Sequence, residues 1–158
     1  MNMPVTDSKR LKIQNYLVEL LKSIKRSNGY NNSVVKVTKR LKTLSNISEF
    51  PELSVLAGNQ TLIPDDESLE LFTANARFGV VGYVRIDQKS QDDATLNDMC
   101  DGLIADIKHC LLSDTGIYTY TDATSLLIIG DEPLIDYETN ESVIYVIITV
   151  SYKHDSTV

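Results

Sequence analysis

Tryptophan is absent from this 158-residue chain, and cysteine and histidine occur only twice each. Each scarcity removes a class of function. His109 and His154 stand in no ligand spacing with a cysteine or with each other, so the pattern of a zinc site is missing. Cys100 and Cys110 fall ten apart in one predicted helix, about 15 Å of rise against the ~5.5 Å between Cα atoms that a disulfide needs. They cannot bridge within that helix, and Cys100 reads as a small core residue. No run of eighteen apolar residues exists, so no transmembrane helix is expected. The start, MNMPVTDSKRLKIQ, lacks the apolar core of a secretory signal, and the chain reads as made in a cytoplasm. Gly-x-Ser-x-Gly, a phosphate-binding glycine loop and a dinucleotide fingerprint are all missing. Consecutive acids at Asp65-Asp66-Glu67 and Asp92-Asp93 splay instead of converging, and read as solvated loops. Neither a cofactor nor catalysis is expected, and function has to be argued from architecture and charge.

Charge is unevenly spread. Residues 1–42 hold ten of the fifteen Lys and Arg and two acids, giving +8, while residues 43–158 carry −15, for a net −7. Such polarity attracts a polyanion, or joins the basic end of one copy to the acidic body of another. Duplex binding needs cations clustered on one face, and these fall at helix ends and on a following strand. The segment's aromatics are Tyr16 and Tyr30, and Tyr16 lies on an apolar stripe, so no stacking platform for single strands is evident.

The longest patterned stretch is Glu67 to Asp87. Phe78, Val80, Val84 and Ile86 alternate with Arg77, Val81, Tyr83 and Arg85, the period of a strand with one buried face. Twenty-one residues would span roughly 70 Å, so either the chain bends near Gly79 and Gly82 or its first half leaves the domain as an arm. Either glycine suits a bulge or a close approach.

Before it, Ile13, Tyr16, Leu17, Leu20, Leu21 and Ile24 predict a helix over 6–28, stopped by Asn28-Gly29. Val34–Thr38 predicts a short strand, at a sheet edge because of its lysines. Phe50-Pro51 forces extended backbone at Phe50; Leu53–Ala57 predicts a strand ended by Gly58, and 59–66 the turn of a hairpin, 59–72 projecting. After it, Leu96, Met99, Cys100, Leu103, Ile104, Ile107 and Leu111 predict a helix over 94–112 that packs across the sheet. Ile117–Thr121 and Ser125–Ile129 read as strands, Gly130-Asp131-Glu132-Pro133 as a turn, and Leu134–Asn140 as a loop. Glu141–Lys153 reads as a central strand covered by a helix on one side and by a partner or second layer on the other; 153–158 is a tail. Of the eight tyrosines, Tyr118, Tyr120, Tyr137, Tyr145 and Tyr152 crowd the last third, where exposed ones suit an interface. The sum is one α+β domain over 1–158, two long helices on an antiparallel or mixed sheet in the order α-β-β-β-α-β-β.

That order, with the passage Ile47-Ser48-Glu49-Phe50-Pro51-Glu52-Leu53-Ser54-Val55-Leu56-Ala57-Gly58, a helix ending LIADIKHCL and a closing ESVIYVIITVSY, resembles the tail terminator (tail completion) proteins of long-tailed bacteriophages. The similarity runs from about residue 8 to 152. It implies a virion structural protein at the head-proximal end of the tail, assembled in the host cytoplasm. Six copies would form a ring that caps the tube, stops its polymerisation and presents the surface to which the head docks. Its expected partners are further copies of itself, the major tail tube protein and a head-completion or neck protein. DNA would pass through the lumen without specific binding, and no membrane is involved. Six copies at −7 each carry about −42, which suits a lumen through which duplex DNA slides. The ring contact expected here sets Lys36, Lys39, Arg40 and Lys42 of one copy against the acidic body of the next, with Asp65, Asp66 and Glu67 as further interface residues. The alternatives that stay open are another tail or neck component of the same fold, a small nucleic-acid-binding module, and an enzyme of unrecognised type.

Overall fold

The computed structural model describes residues 8–65, 68–86, 93–136 and 140–155. Its core is a mixed five-stranded sheet with three helices, two of them long, an α+β fold that does not close into a barrel. The elements are α1 (Lys9–Leu21), β1 (Lys36–Thr38), β2 (Glu52–Asp65), β3 (Ser68–Arg85), α2 (Asp93–Ser113), α3 (Gly116–Tyr120), β4 (Ala123–Asp136) and β5 (Glu141–Asp155). The sheet order is β1-β2-β3-β5-β4, antiparallel except where β1 runs parallel to β2.

β3 is the central strand, and it neither breaks nor leaves the sheet. It pairs with β5 from Leu71 to Arg85 and with β2 over nearly its whole length. The even-numbered residues Ala74, Ala76, Phe78, Val80 and Val84 are buried under the helices, and they meet Ile144, Val146, Ile148, Val150 and Tyr152 of β5 on the same face. Gly82 is the close approach that lets α2 sit on that face. A Cβ there would lie 2.6 Å from Ile144 Cγ1 and 2.9 Å from Leu103 Cδ2. Gly79 lies on the opposite face, where a Cβ would meet no atom within 4 Å, so that surface is open.

The predicted stripe of α2 is the one that packs: Leu96, Cys100, Leu103, Ile104, Ile107 and Leu111 are buried over β5, β4 and β3. Beside α2, α1 lies over β2, burying Ile13, Leu17 and Leu21. Its start is capped by the Ser8 hydroxyl, which accepts from Leu11 N at 3.1 Å. The helix stops at Leu21, seven residues short of the expected end. Asn28-Gly29 instead closes a separate 3-10 turn, Arg26–Asn28, with Gly29 left-handed at φ 91°. Ile24 remains buried all the same, so the apolar stripe predicts the burial and misses the break.

Both hairpins outrun their predicted strands. β2 continues through Gly58 to Asp65 where a turn was expected, because a bulge between Ala57 and Gln60 absorbs the irregular residue. β4 likewise runs through Gly130-Asp131-Glu132-Pro133. A second bulge leaves Ile129 as the extra residue between Ile128 and Gly130 and keeps Gly130 in the ladder opposite Ile147, and an edge position tolerates the proline. The 134–140 stretch, expected as loop, is strand as far as Asp136, and β5 extends into the expected tail as far as Asp155. The segment read as a strand at Ile117–Thr121 is the short helix α3: Asp114 Oδ2 accepts from Ile117 N at 2.9 Å and starts a helical turn.

Candidate subunit interface

Three parts of the surface could carry function: the two sheet edges, the face of the sheet away from the helices, and the basic segment around β1. Each is built by the register of the strands.

The face away from the helices divides in two. Its half near β1 is roofed by the segment 42–50: Ile47 is buried against Val81 and Tyr83, with Leu44, Phe50, Leu56, Val143 and Tyr145 around them. Arg85 fastens this roof, its guanidinium 4.4 Å from the centre of the Phe50 ring and its Nε donating to Glu141 Oε1 at 2.9 Å. The Phe50–Pro51 peptide in the roof is cis. Beneath it lies a buried polar cluster. Lys42 N donates to the Tyr83 hydroxyl at 2.8 Å, and that hydroxyl is 3.2 Å from Ser54 Oγ. Ser54 Oγ donates to the Arg40 carbonyl at 2.7 Å and lies 3.2 Å from Thr38 Oγ1. The Lys42 ammonium approaches the buried Glu52 carboxylate at 2.9 Å, outside hydrogen-bonding angles and so as an ion pair. With Ser54 and Tyr83 sealed from solvent, these groups hold the roof down and offer nothing to a substrate.

The other half of that face is open. Register places Arg77, Thr149 and Leu127 in one row, Asn75, Ser151 and Ser125 in the next, and Gly79, Ile147 and Gly130 on the far side. They shape a shallow depression of roughly 270 Å³ between Asn59, Arg77, Leu127, Ile129 and Thr149. Leu127 and Ile129 are 59 % and 54 % exposed there. Arg77 is exposed, and among the described residues it makes no ion pair or side-chain hydrogen bond. The expectation that β5 is covered on both faces is therefore met by the chain itself only on the roofed half.

The edges are as distinctive. β4 ends the sheet order, and among the described residues no strand pairs with its outer side. At the opposite margin β1 covers only Glu52–Ser54 of β2. Beyond it, Gln14 Nε2 donates to Val55 O at 3.0 Å and the Arg10 guanidinium donates to Gly58 O, so α1 side chains satisfy that part of the strand.

The predicted interface residues separate as follows. Lys36, Lys39 and Arg40 are exposed at the β1 margin. Lys42 is engaged internally by Glu52, so its charge is already neutralised within the subunit. Asp65 ends β2 eleven residues past the last β1 partner, Ser54, so the two sets stand roughly 35 Å apart along the strand. They do not form one site within a subunit. Asp66 and Glu67 lie outside the described residues, as does Tyr137. Of the other C-terminal tyrosines, Tyr118 and Tyr120 are exposed, Tyr145 is half-buried under the roof, and Tyr152 is buried with its hydroxyl donating to Gln60 Oε1 at 2.9 Å.

Sequence reasoning passed over Asp106. It is 3 % exposed, and its carboxylate accepts four hydrogen bonds from the turn after α1. Asn31 N and Nδ2 reach Oδ1 at 2.9 and 3.0 Å, while Asn32 N and Nδ2 reach Oδ2 at 2.8 and 3.0 Å. The available signal was its place three residues after Leu103 and four before Cys110, on the flank of the apolar stripe. The cysteines themselves are buried, and burial pushes both thiols up from their ordinary range, which keeps them protonated and inert.

No protein-family model and no curated protein matches this chain. Among solved structures, a chain of the virion of a native gene transfer agent particle aligns with 92 % of this chain and 90 % of its own length, at 8 % identity and a TM-score of 0.38.

Proposed function

We propose that this protein is a structural tile of a phage-type virion, a tail terminator whose copies join edge to edge into a ring, with six the expected number, and act by shape without catalysis. The supporting observation is the pair of unlike sheet edges, β4 with no strand on its outer side among the described residues and the short β1 at the opposite margin, together with the directions of the strands. β4 runs opposite to β2 and β1 runs with β2, so β4 of one copy set beside β1 of the next pairs with it antiparallel. The two edges differ, so the contact is heterologous, and in this reading its rotation closes into a ring.

Charge at this seam agrees with its geometry. Tracing the register across the sheet puts Lys36 level with Leu134 and Thr38 level with Glu132 at the other edge. Joining copies without a shift along the strands brings Asp131 and Glu132 beside Lys36, Lys39 and Arg40 of the neighbour. Asp131 also has an ion pair with Lys108 of its own subunit, leaving Glu132 as the freer acid. In this reading the ring caps a tail tube, stops its growth and presents a surface to a neck or head-completion protein. The lumen is where DNA passes. Another tail or neck component built on the same seam is the second reading, and the order of elements after an N-terminal helix favours the terminator. The triple variant Lys36→Glu, Lys39→Glu, Arg40→Glu tests it: folded subunits that no longer cap growing tubes are expected, and unchanged capping would overturn the placement of the seam.

A further inference from the structure

We infer that the open half of the sheet face is a second self-association site, distinct from the edge seam, and that it receives the end of the β2–β3 hairpin of another copy. The site is the depression around Arg77. Its floor is polar and uncharged, from Asn59, Asn75 and Thr149, and one flank is apolar, from Leu127 and Ile129. Arg77 supplies the cation at its centre, with no acid from its own subunit taking up the charge among the described residues. An occupant must therefore bring an apolar side chain and a negative charge a few residues apart.

This chain carries one such segment at the end of a hairpin. Leu62 and Ile63, 48 % and 53 % exposed near the end of β2, are followed within four residues by the consecutive acids Asp65, Asp66 and Glu67. Register puts Ile63 opposite Thr73, on the face of the depression but beyond it toward the hairpin end, so Ile63 is not spent on covering its own Arg77; Leu62, opposite Ala74, lies on the other face. Nucleic acid is the less apt occupant. A single guanidinium beside two exposed aliphatic side chains, on a chain of net charge −7, gives little for a phosphate backbone to gather round. A carboxylate on Arg77 with Ile63 against Leu127 and Ile129 satisfies both halves of the surface, in the arrangement of an apolar contact rimmed by a charge-assisted hydrogen bond.

The contact uses the sheet face and does not require the edge seam, so the two can be tested apart. Sedimentation velocity on the full chain at low salt is run with the Lys36→Glu, Lys39→Glu, Arg40→Glu triple variant as background, to suppress the seam, and with the unmodified chain alongside. Self-association is expected to persist in that background and to weaken as salt rises. Arg77→Glu should weaken it at least tenfold. Asp65→Lys, Asp66→Lys, Glu67→Lys should do the same, and the two sets together should restore it. Circular dichroism checks that each variant is folded. A background variant that is monomeric at 100 µM by order of magnitude, an Arg77→Glu variant that associates as before, or a folded charge-swapped chain that is not restored would each overturn the proposal. Loss of rings in the triple variant alone speaks to the seam and leaves this contact standing.

Discussion

Replacing Asp106 with alanine removes the acceptor of four hydrogen bonds at a point sealed from water. Asn32 is itself buried, so its backbone N–H and Nδ2 would be left without partners, while the exposed Asn31 can turn to solvent. A hydrogen bond to a charged group is worth about 1.5–3 kcal/mol and an orphaned buried donor costs about 1–3 kcal/mol. The four bonds share one carboxylate and do not add in full, so the expected loss is about 3–5 kcal/mol. For a chain of this length that lowers the melting temperature by about 6–20 °C. Asp106→Asn keeps one acceptor oxygen but turns an amide toward two of the donors, and should fall between the alanine variant and the native chain. Urea unfolding followed by circular dichroism measures both. An alanine variant within about 1 kcal/mol of native stability would refute the claim that this carboxylate pins the turn after α1 to α2.

Alkaline pH should destabilise the protein through two partly buried phenols, Tyr16 and Tyr30. Burial, and for Tyr16 the bond to Asp114, push Tyr16 up to about 12; burial, with the Cys110 sulfur next to its hydroxyl, pushes Tyr30 up to about 12. A phenol whose pKa is higher folded than unfolded adds stability that is whole below pH 10 and drains away between 10 and 12. A denaturation midpoint that stays flat across that interval would contradict this. Gly82→Ala should cost about 1–3 kcal/mol, because the new methyl meets Ile144 and Leu103 where α2 crosses the sheet. The same substitution at Gly79, where the surface is open, should be close to neutral, and thermal melts of the two variants give the contrast.

Periodicity made the buried face readable, because a helix stripe and a strand alternation are set by backbone geometry alone. The stripe of α2 and the even positions of β3 are buried as the sequence implies, and the lysine-rich β1 does lie at a sheet edge. Where the reading failed, a long-range contact outweighed a local signal. Gly58 and Gly130 look like strand ends but sit in or beside bulges whose strands are held by their neighbours. Ile117–Tyr120 has β-prone residues yet turns helical under the Asp114 cap. The roof over Tyr83 and the Asp106 anchor depend on residues 41 and 75 positions apart, and no local pattern encodes such pairs. Of the candidate interface, the exposure of Lys36, Lys39 and Arg40 was legible from their charge. The pairing of Lys42 with Glu52 was not, and Arg77 emerged only once register had placed it among neutral residues.

The central claim is that copies of this chain join through unlike sheet edges and close. Native mass spectrometry of the full chain, alone and after incubation with tail tubes, measures it directly. In salt high enough to suppress the sheet-face contact, a discrete species at about six times 17.7 kDa is expected, either preformed or appearing on the tubes, with no open-ended ladder of sizes. A chain that stays at one copy in both conditions, or pairs only as a symmetric dimer, would contradict it.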